Sequence, residues 1–218
     1  LKQKFRIEDK LKAELIATGK VTTPVSLIFH GIKQLNASLV MGNYFFKDIK
    51  EEGIVLYDSG KYKLTHPKKL TPEQYRQKAQ AHFDQWFENG NNALKMYGLS
   101  FKEGLFFDSA FQLHQATERY YTTILLVFTD YRPKDHNLET LGIKVEMCDA
   151  RFAVFPKTTD EEKHRFELLK RAYIDARYNM DEYAITSTEL EYLAKKVEVL
   201  KGLTQQICTE RILAIGRG

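Results

Sequence analysis

The sequence predicts a mainly α-helical protein: a bundle of four or five helices over residues 71–218, preceded by a small α/β segment over residues 1–66. Three observations predict it. Residues beyond Thr71 carry long stretches whose apolar positions recur at helical spacing. Residues before His66 hold short runs rich in β-branched and aromatic residues. Between them, "HPKKLTPEQ" at 66–74 is polar and carries helix-start chemistry.

In the first segment, "VSLIFH" at 25–30 and "GIVLYDSGKYKL" at 53–64 read as strands flanking a helical stretch. Asp58-Ser59-Gly60 separates Ile54–Tyr57 from Lys61–Leu64, and these small polar residues accept the backbone angles of a tight reversal, so the pair is expected to form a hairpin. At the boundary, Thr71 is expected as N-cap, with Pro72 at the first helical position and Gln74 completing the cap. Helices are expected at about 72–97, 102–129, 137–148, 159–180 and 187–212. Gly98, Arg132-Pro133 and Pro156 stop or separate them, and Thr186-Ser187 caps the last before Glu189 and Glu191.

Composition limits the function classes. A chain of 218 residues with 43% hydrophobic content can bury a core of its own. A net charge of +4 suits a phosphate-bearing ligand but falls well short of a dedicated nucleic-acid arm. Cys148 and Cys208 stand far apart with no CxxC or Cys/His spacing, which argues against a disulfide scaffold or a zinc site and makes a reducing cytoplasm the default location. No apolar run is long enough to span a bilayer, so no membrane association is expected. The chain opens on Leu1, as a segment of a longer protein would.

The helix around "FDSAFQLHQATERYYTTILL" poses a question. Phe107, Ala110, His114, Glu118, Tyr121 and Leu125 share one face, so two titratable side chains interrupt an apolar stripe.

"FQLHQATERYYTTILL" (111–126), "HNLETLG" (136–142) and "YIDARYNMDEYAIT" (173–186), in that order, resemble the HEPN domain, a helical bundle often encoded with or fused to minimal nucleotidyltransferases. The upstream stretch from Val25 to Gly60 resembles the C-terminal part of such a nucleotidyltransferase domain. That resemblance implies a Gly-Ser turn and an Asp-x-Asp pair holding divalent metal, Mg, against a triphosphate. This chain contains neither motif, and Ser26 stands where a third carboxylate is expected, so no cofactor is expected in the chain itself. Nucleotide transfer would require a catalytic half ahead of Leu1. Many HEPN relatives are ribonucleases with an Arg-x(4–6)-His motif late in the bundle. "RAYIDARYNMDEY" supplies Arg171 and Arg177 with no histidine after either, which argues against a ribonuclease. Arg76 and His82 match the bare spacing, but on the first bundle helix, away from the family position.

The resemblance directs attention to Arg171, Arg177 and Tyr178 as a phosphate-binding group, with His114 and Glu118 nearby. Arginine clamps phosphate bidentately and tyrosine stacks on a base. On a continuous helix, Arg171, Asp175 and Tyr178 share one face while Leu169, Tyr173, Ala176 and Met180 form an apolar stripe. The alternative for the arginines is an Arg–Asp surface pair. His114 and Glu118 are either a polar patch facing a nucleotide or metal, or a hydrogen-bonded pair satisfied by a neighbouring helix. Two ligands alone are too few for a metal. His136 is expected to cap its helix or bond between helices, and Trp86, with Phe83 and Phe87, to lie in the core. Three functions remain open: a non-catalytic nucleotide- or RNA-phosphate-binding module, part of a metal-dependent nucleotidyltransferase, or a dimerisation or docking module of a toxin–antitoxin type pair. A homodimer is expected from the resemblance.

Overall fold

A computed structural model describes residues 28–132, 134–179 and 181–216. Val25, Ser26 and Leu27 of the expected first strand, Pro133 and Met180 lie outside these. The chain divides into two units between Lys68 and Lys69.

The first unit contains helices α1 (Ile32–Val40) and α2 (Tyr44–Glu52). Asn43 caps α2 by accepting a hydrogen bond from the Phe46 amide, and Leu39 and Phe46 are its buried apolar residues. The expected α/β character is not found: among the described residues there is no strand. The turn chemistry nonetheless forms. Gly60 adopts φ of 70°, and its N–H donates to Asp58 Oδ1 at 2.8 Å. Lys63 to Thr65 are fastened to the helices, with Asn36 bonding the Lys63 carbonyl and Thr65 amide, and Lys50 Nζ bonding the Thr65 carbonyl at 2.7 Å. Ile54, Val55, Leu56 and Tyr57 are 88, 76, 93 and 85% exposed. A lone two-stranded hairpin is marginal in water, and among the described residues these four side chains stay open to solvent. A turn signal and β-propensity therefore do not suffice for a ladder.

The second unit is the helical bundle: α3 (Pro72–Lys102), α4 (Phe106–Thr129), α5 (Leu138–Cys148), a 3₁₀ turn (Ala150–Phe152), α6 (Asp160–Arg171), α7 (Asp175–Tyr178) and α8 (Ser187–Ala214). Three helices open on capping boxes: Thr71 with Gln74, Thr159 with Glu162, and Thr186 with Glu189. Helix α4 is the central element, packed against α3, α5, α6, α7 and α8. Its inward side supplies Ala110, Leu113, Ala116, Tyr120 and Ile124, all fully buried or nearly so. α3 and α4 form an antiparallel hairpin with a close contact at Gly90, where an added Cβ would lie 2.5 Å from Tyr120 Cε1. Phe83 and Phe87 pack on the core, whereas Trp86 sits half-buried at its rim beneath Arg132, 4.2 Å from the ring centroid.

The helix expected over 159–180 is interrupted. α6 ends at Arg171, and a turn through Ala172–Ile174 precedes the short α7. Leu169 O, which a continued helix would have bonded to the Tyr173 amide, accepts instead from His114 Nδ1 at 3.0 Å. Leu168 O keeps its helical bond from the Ala172 amide and also accepts from the Tyr183 hydroxyl at 3.0 Å. The single face proposed for Arg171, Asp175 and Tyr178 on a continuous helix therefore does not exist.

No described helix is long and apolar enough to cross a membrane.

Candidate phosphate-binding site

His114 is 1% exposed and belongs to the end of α6 as much as to α4. A carbonyl oxygen only accepts, so Nδ1 carries the hydrogen it shares with Leu169 O. The ring thus caps a helix C-terminus from a neighbouring helix. Its other nitrogen, Nε2, lies 3.7 Å from Glu118 Oε2, and neither atom has a hydrogen-bond partner among the described residues. The second oxygen of Glu118 bonds His136 Nδ1 at 3.0 Å. Burial pushes the Glu118 carboxyl up, but the two imidazoles beside it, His114 and the hydrogen-bonded His136, outweigh this and hold the group below the ordinary carboxylate range. His136 makes the inter-helix bond, while Asn137 caps α5 by accepting from the Glu139 and Thr140 amides.

Tyr173, in the turn between α6 and α7, ties this cluster to the arginines. His114 and His136 both stack on its ring with centroids 5.1 Å away. Arg177 lies over the same ring at 4.9 Å, over Phe111 at 4.4 Å and over Tyr178 at 5.0 Å. Its Nε donates to the Tyr173 carbonyl at 2.9 Å, and its Nη2 bonds the same oxygen. Among the described residues no carboxylate pairs with it. Arg177 and Tyr178 are exposed.

Arg171 is placed differently. Its Nε bonds Asp175 Oδ2 at 2.6 Å and its Nη2 bonds the Glu182 carbonyl at 3.1 Å. Asp175 is correspondingly held low, first by its bond from Asn179 and then by Arg171. Arg171 latches the turn, and its charge is already matched. The structure thus gathers Arg177, Tyr178, His114 and Glu118 around Tyr173 and directs Arg171 to its own partner. Tyr173 and Phe111 are members of the cluster missed by sequence reading, and the aromatic spacing around Arg177 hinted at the first. His136 makes the bond between helices expected of it, but its partner Glu118, 18 residues away, left no local signal.

Arg76 and His82 do not converge, for Arg76 pairs with Glu73 and His82 with Asp130. No group of three or more His, Cys, Asp or Glu among the described residues is arranged to hold a metal ion.

An antiparallel helical bundle built on one central buried helix, with an aromatic-lined arginine beyond the end of α6, defines a helical-bundle domain of the kind the motif order suggested. The chain belongs to the HEPN domain family, whose model matches residues 83–207, more than half of its length. No curated protein matches the chain.

Proposed function

We propose that this HEPN bundle binds a nucleotide or RNA phosphate at Arg177. The observation that carries the reading is a guanidinium with no carboxylate partner among the described residues, held by the Tyr173 carbonyl and packed against Phe111, Tyr173 and Tyr178. A cation held by a neutral oxygen and ring faces keeps its full charge for an incoming anion, and its remaining N–H donors fit a phosphoryl group. Tyr178, exposed beside it, offers a ring face for a base. His136, 48% exposed and anchored by Glu118, lies on the neighbouring side of Tyr173 and can add a donor. Because Arg171 is matched by Asp175, phosphate binding is assigned to Arg177. Calorimetric titration with nucleoside triphosphates and short RNA tests the reading. Binding lost in Arg177→Ala and weakened in Tyr178→Ala is expected; no ligand binding to the parent, or unchanged binding in Arg177→Ala, rejects it.

A second reading has its own support. Ile54–Tyr57 are four consecutive apolar residues at 76–93% exposure, and a strand apolar on both faces belongs inside a sheet covered on both sides. In the intact protein this segment would join the sheet of an α/β nucleotidyltransferase half that binds Mg. This chain's own residues do not fit the metal, since it has no Gly-Ser turn and no Asp-x-Asp. The upstream reading frame decides: both motifs there support the reading, and their absence removes it.

A further inference from the structure

The outward side of α4 carries a second arginine in an unusual setting. Arg119 is half-buried, and its Nη1 donates to the Asn89 carbonyl of α3 at 3.0 Å while its Nη2 reaches Gln115 Oε1 at 3.3 Å. No carboxylate among the described residues lies within ion-pair distance of it. Arg132 and Arg211 also lack a carboxylate, but both are exposed and lie on separate rings, Trp86 and Phe128. A partly buried charge without a counter-charge is costly to keep, and a neutral carbonyl and amide return only part of that cost.

The direction of the side chain matters. Residues 111, 115 and 119 succeed one another at four-residue spacing along one face of α4. The bond to Gln115 draws the Arg119 head back one turn, toward the N-terminus of the helix, as long helical side chains prefer. Phe111, the ring beneath Arg177, lies one further turn along. Arg119 thus bonds position 115 and Arg177 covers position 111, positions one helical turn, roughly 5 Å, apart along α4. Glu118, next to Arg119 in the sequence, is turned to His114 and His136.

We propose that Arg119 is a second phosphoryl contact, so that the ligand of this site carries two phosphoryl groups linked in one chain: the polyphosphate of a free nucleotide or successive phosphodiesters of a single RNA strand. The proposal rests on the reading of Arg177 as the first phosphate contact. Arg119 is fixed before the ligand arrives, because Asn89 and Gln115 use two of its five N–H donors and leave three for oxygen ligands. Two such arginines select against a ligand with one phosphoryl group, which can engage only one of them.

Two pairs of probes test this by calorimetry: ATP against AMP, and the trinucleotide ApApA against the dinucleotide ApA. The parent is expected to favour the member with more phosphoryl groups at least tenfold in one pair, and that pair identifies the source. Arg119→Ala should bring the favoured ligand down to the affinity of its partner. Arg119→Lys, which keeps the charge and most of the packing, should retain part of the gain. The slope of log affinity against log salt should fall by about one ion on removing Arg119. No preference in either pair, or a preference that survives Arg119→Ala with an unchanged salt slope, overturns the proposal. If the parent binds and Arg177→Ala weakens binding while Arg119→Ala does not, only this inference fails. A parent that binds none of the four probes rejects the phosphate-site reading itself and this inference with it.

Discussion

Gly90→Ala isolates the contact that sets the spacing of α3 and α4. The added methyl would lie 2.5 Å from Tyr120 Cε1, 2.8 Å from Cδ1 and 3.0 Å from Cζ. Ordinary carbon contacts are about 3.5–4.0 Å, so the ring or the helix must retreat by roughly 1 Å. The Tyr120 ring has no free space to retreat into. It is fully buried, tilted against Phe87 at 5.6 Å, and its hydroxyl donates to Asn91 Oδ1 at 3.0 Å. Overpacking costs about 1–3 kcal/mol, and losing the buried hydroxyl bond adds about 1–3 kcal/mol. Alanine's better helix propensity returns about 1 kcal/mol, leaving a net destabilisation of roughly 1–5 kcal/mol. At about 2–4 °C per kcal/mol for a domain of this size, Tm should fall by roughly 2–20 °C. Gly98→Ala on the same helix is the control. Nothing lies within 4 Å of its added methyl, so only the propensity gain remains and stability should rise by up to about 1 kcal/mol. Thermal melts followed by circular dichroism compare the two. If Gly90→Ala melts no lower than the parent, the close approach does not constrain the helices. The effect should reach the second arginine, because Asn89 precedes Gly90 and its carbonyl holds Arg119.

Other consequences follow from single contacts. Glu118 has its folded pKa depressed below the ordinary value of 4.5, so it contributes stability above that pH and loses it as pH falls through the folded value. Urea midpoints of the parent and Glu118→Gln should therefore differ most at neutral pH and converge as pH drops below about 4.5; a constant difference would contradict the assignment. Thr186→Ala removes the cap from the longest helix after α3 and should cost about 1 kcal/mol, read as a shift in urea midpoint, whereas Thr186→Ser should keep most of it. Burial pushes the Cys208 thiol up, with neighbouring Cys148 adding to it, and burial also raises Cys148. Neither should react quickly with a thiol reagent at neutral pH until the protein unfolds, and rapid labelling of Cys208 in the native state would contradict its burial.

What was legible in the sequence was local or periodic. Thr71-Pro72 with Gln74 states a helix start without reference to the rest of the molecule, and so does Thr186 with Glu189. The inward residues of α4 repeat at helical spacing because one core covers them all. The breaks came where distant groups decide. Residues 159–180 carry nothing that forbids a continuous helix, and at the interruption the Leu169 carbonyl is taken by His114 across 55 residues. The segment at 53–64 has strand composition and a formed turn, but a strand also needs a neighbour, which no local pattern supplies. The partition of the two arginines was hidden for the same reason. Both stand six residues apart in an Arg-rich stretch, yet only Arg171 finds Asp175 on the far side of the turn.

That partition follows from the interruption itself. Had α6 continued through Tyr178, the arginines would point in directions fixed by helical geometry, with Arg177 rotated well away from Arg171. Because the chain turns at Ala172–Ile174, something must hold the turn, and Arg171 does so by joining Asp175 to the Glu182 carbonyl. Using Arg171 for a phosphate would release that latch and with it Tyr173, the ring on which both imidazoles and Arg177 rest. A ligand at Arg177 makes no such demand, since its guanidinium is held by the Tyr173 carbonyl and by ring faces that an anion need not displace. The buried His114 closes the argument from the other side: by capping α6 it ends the helix where the turn must begin, and so a histidine inside an apolar stripe determines where an exposed arginine is aimed.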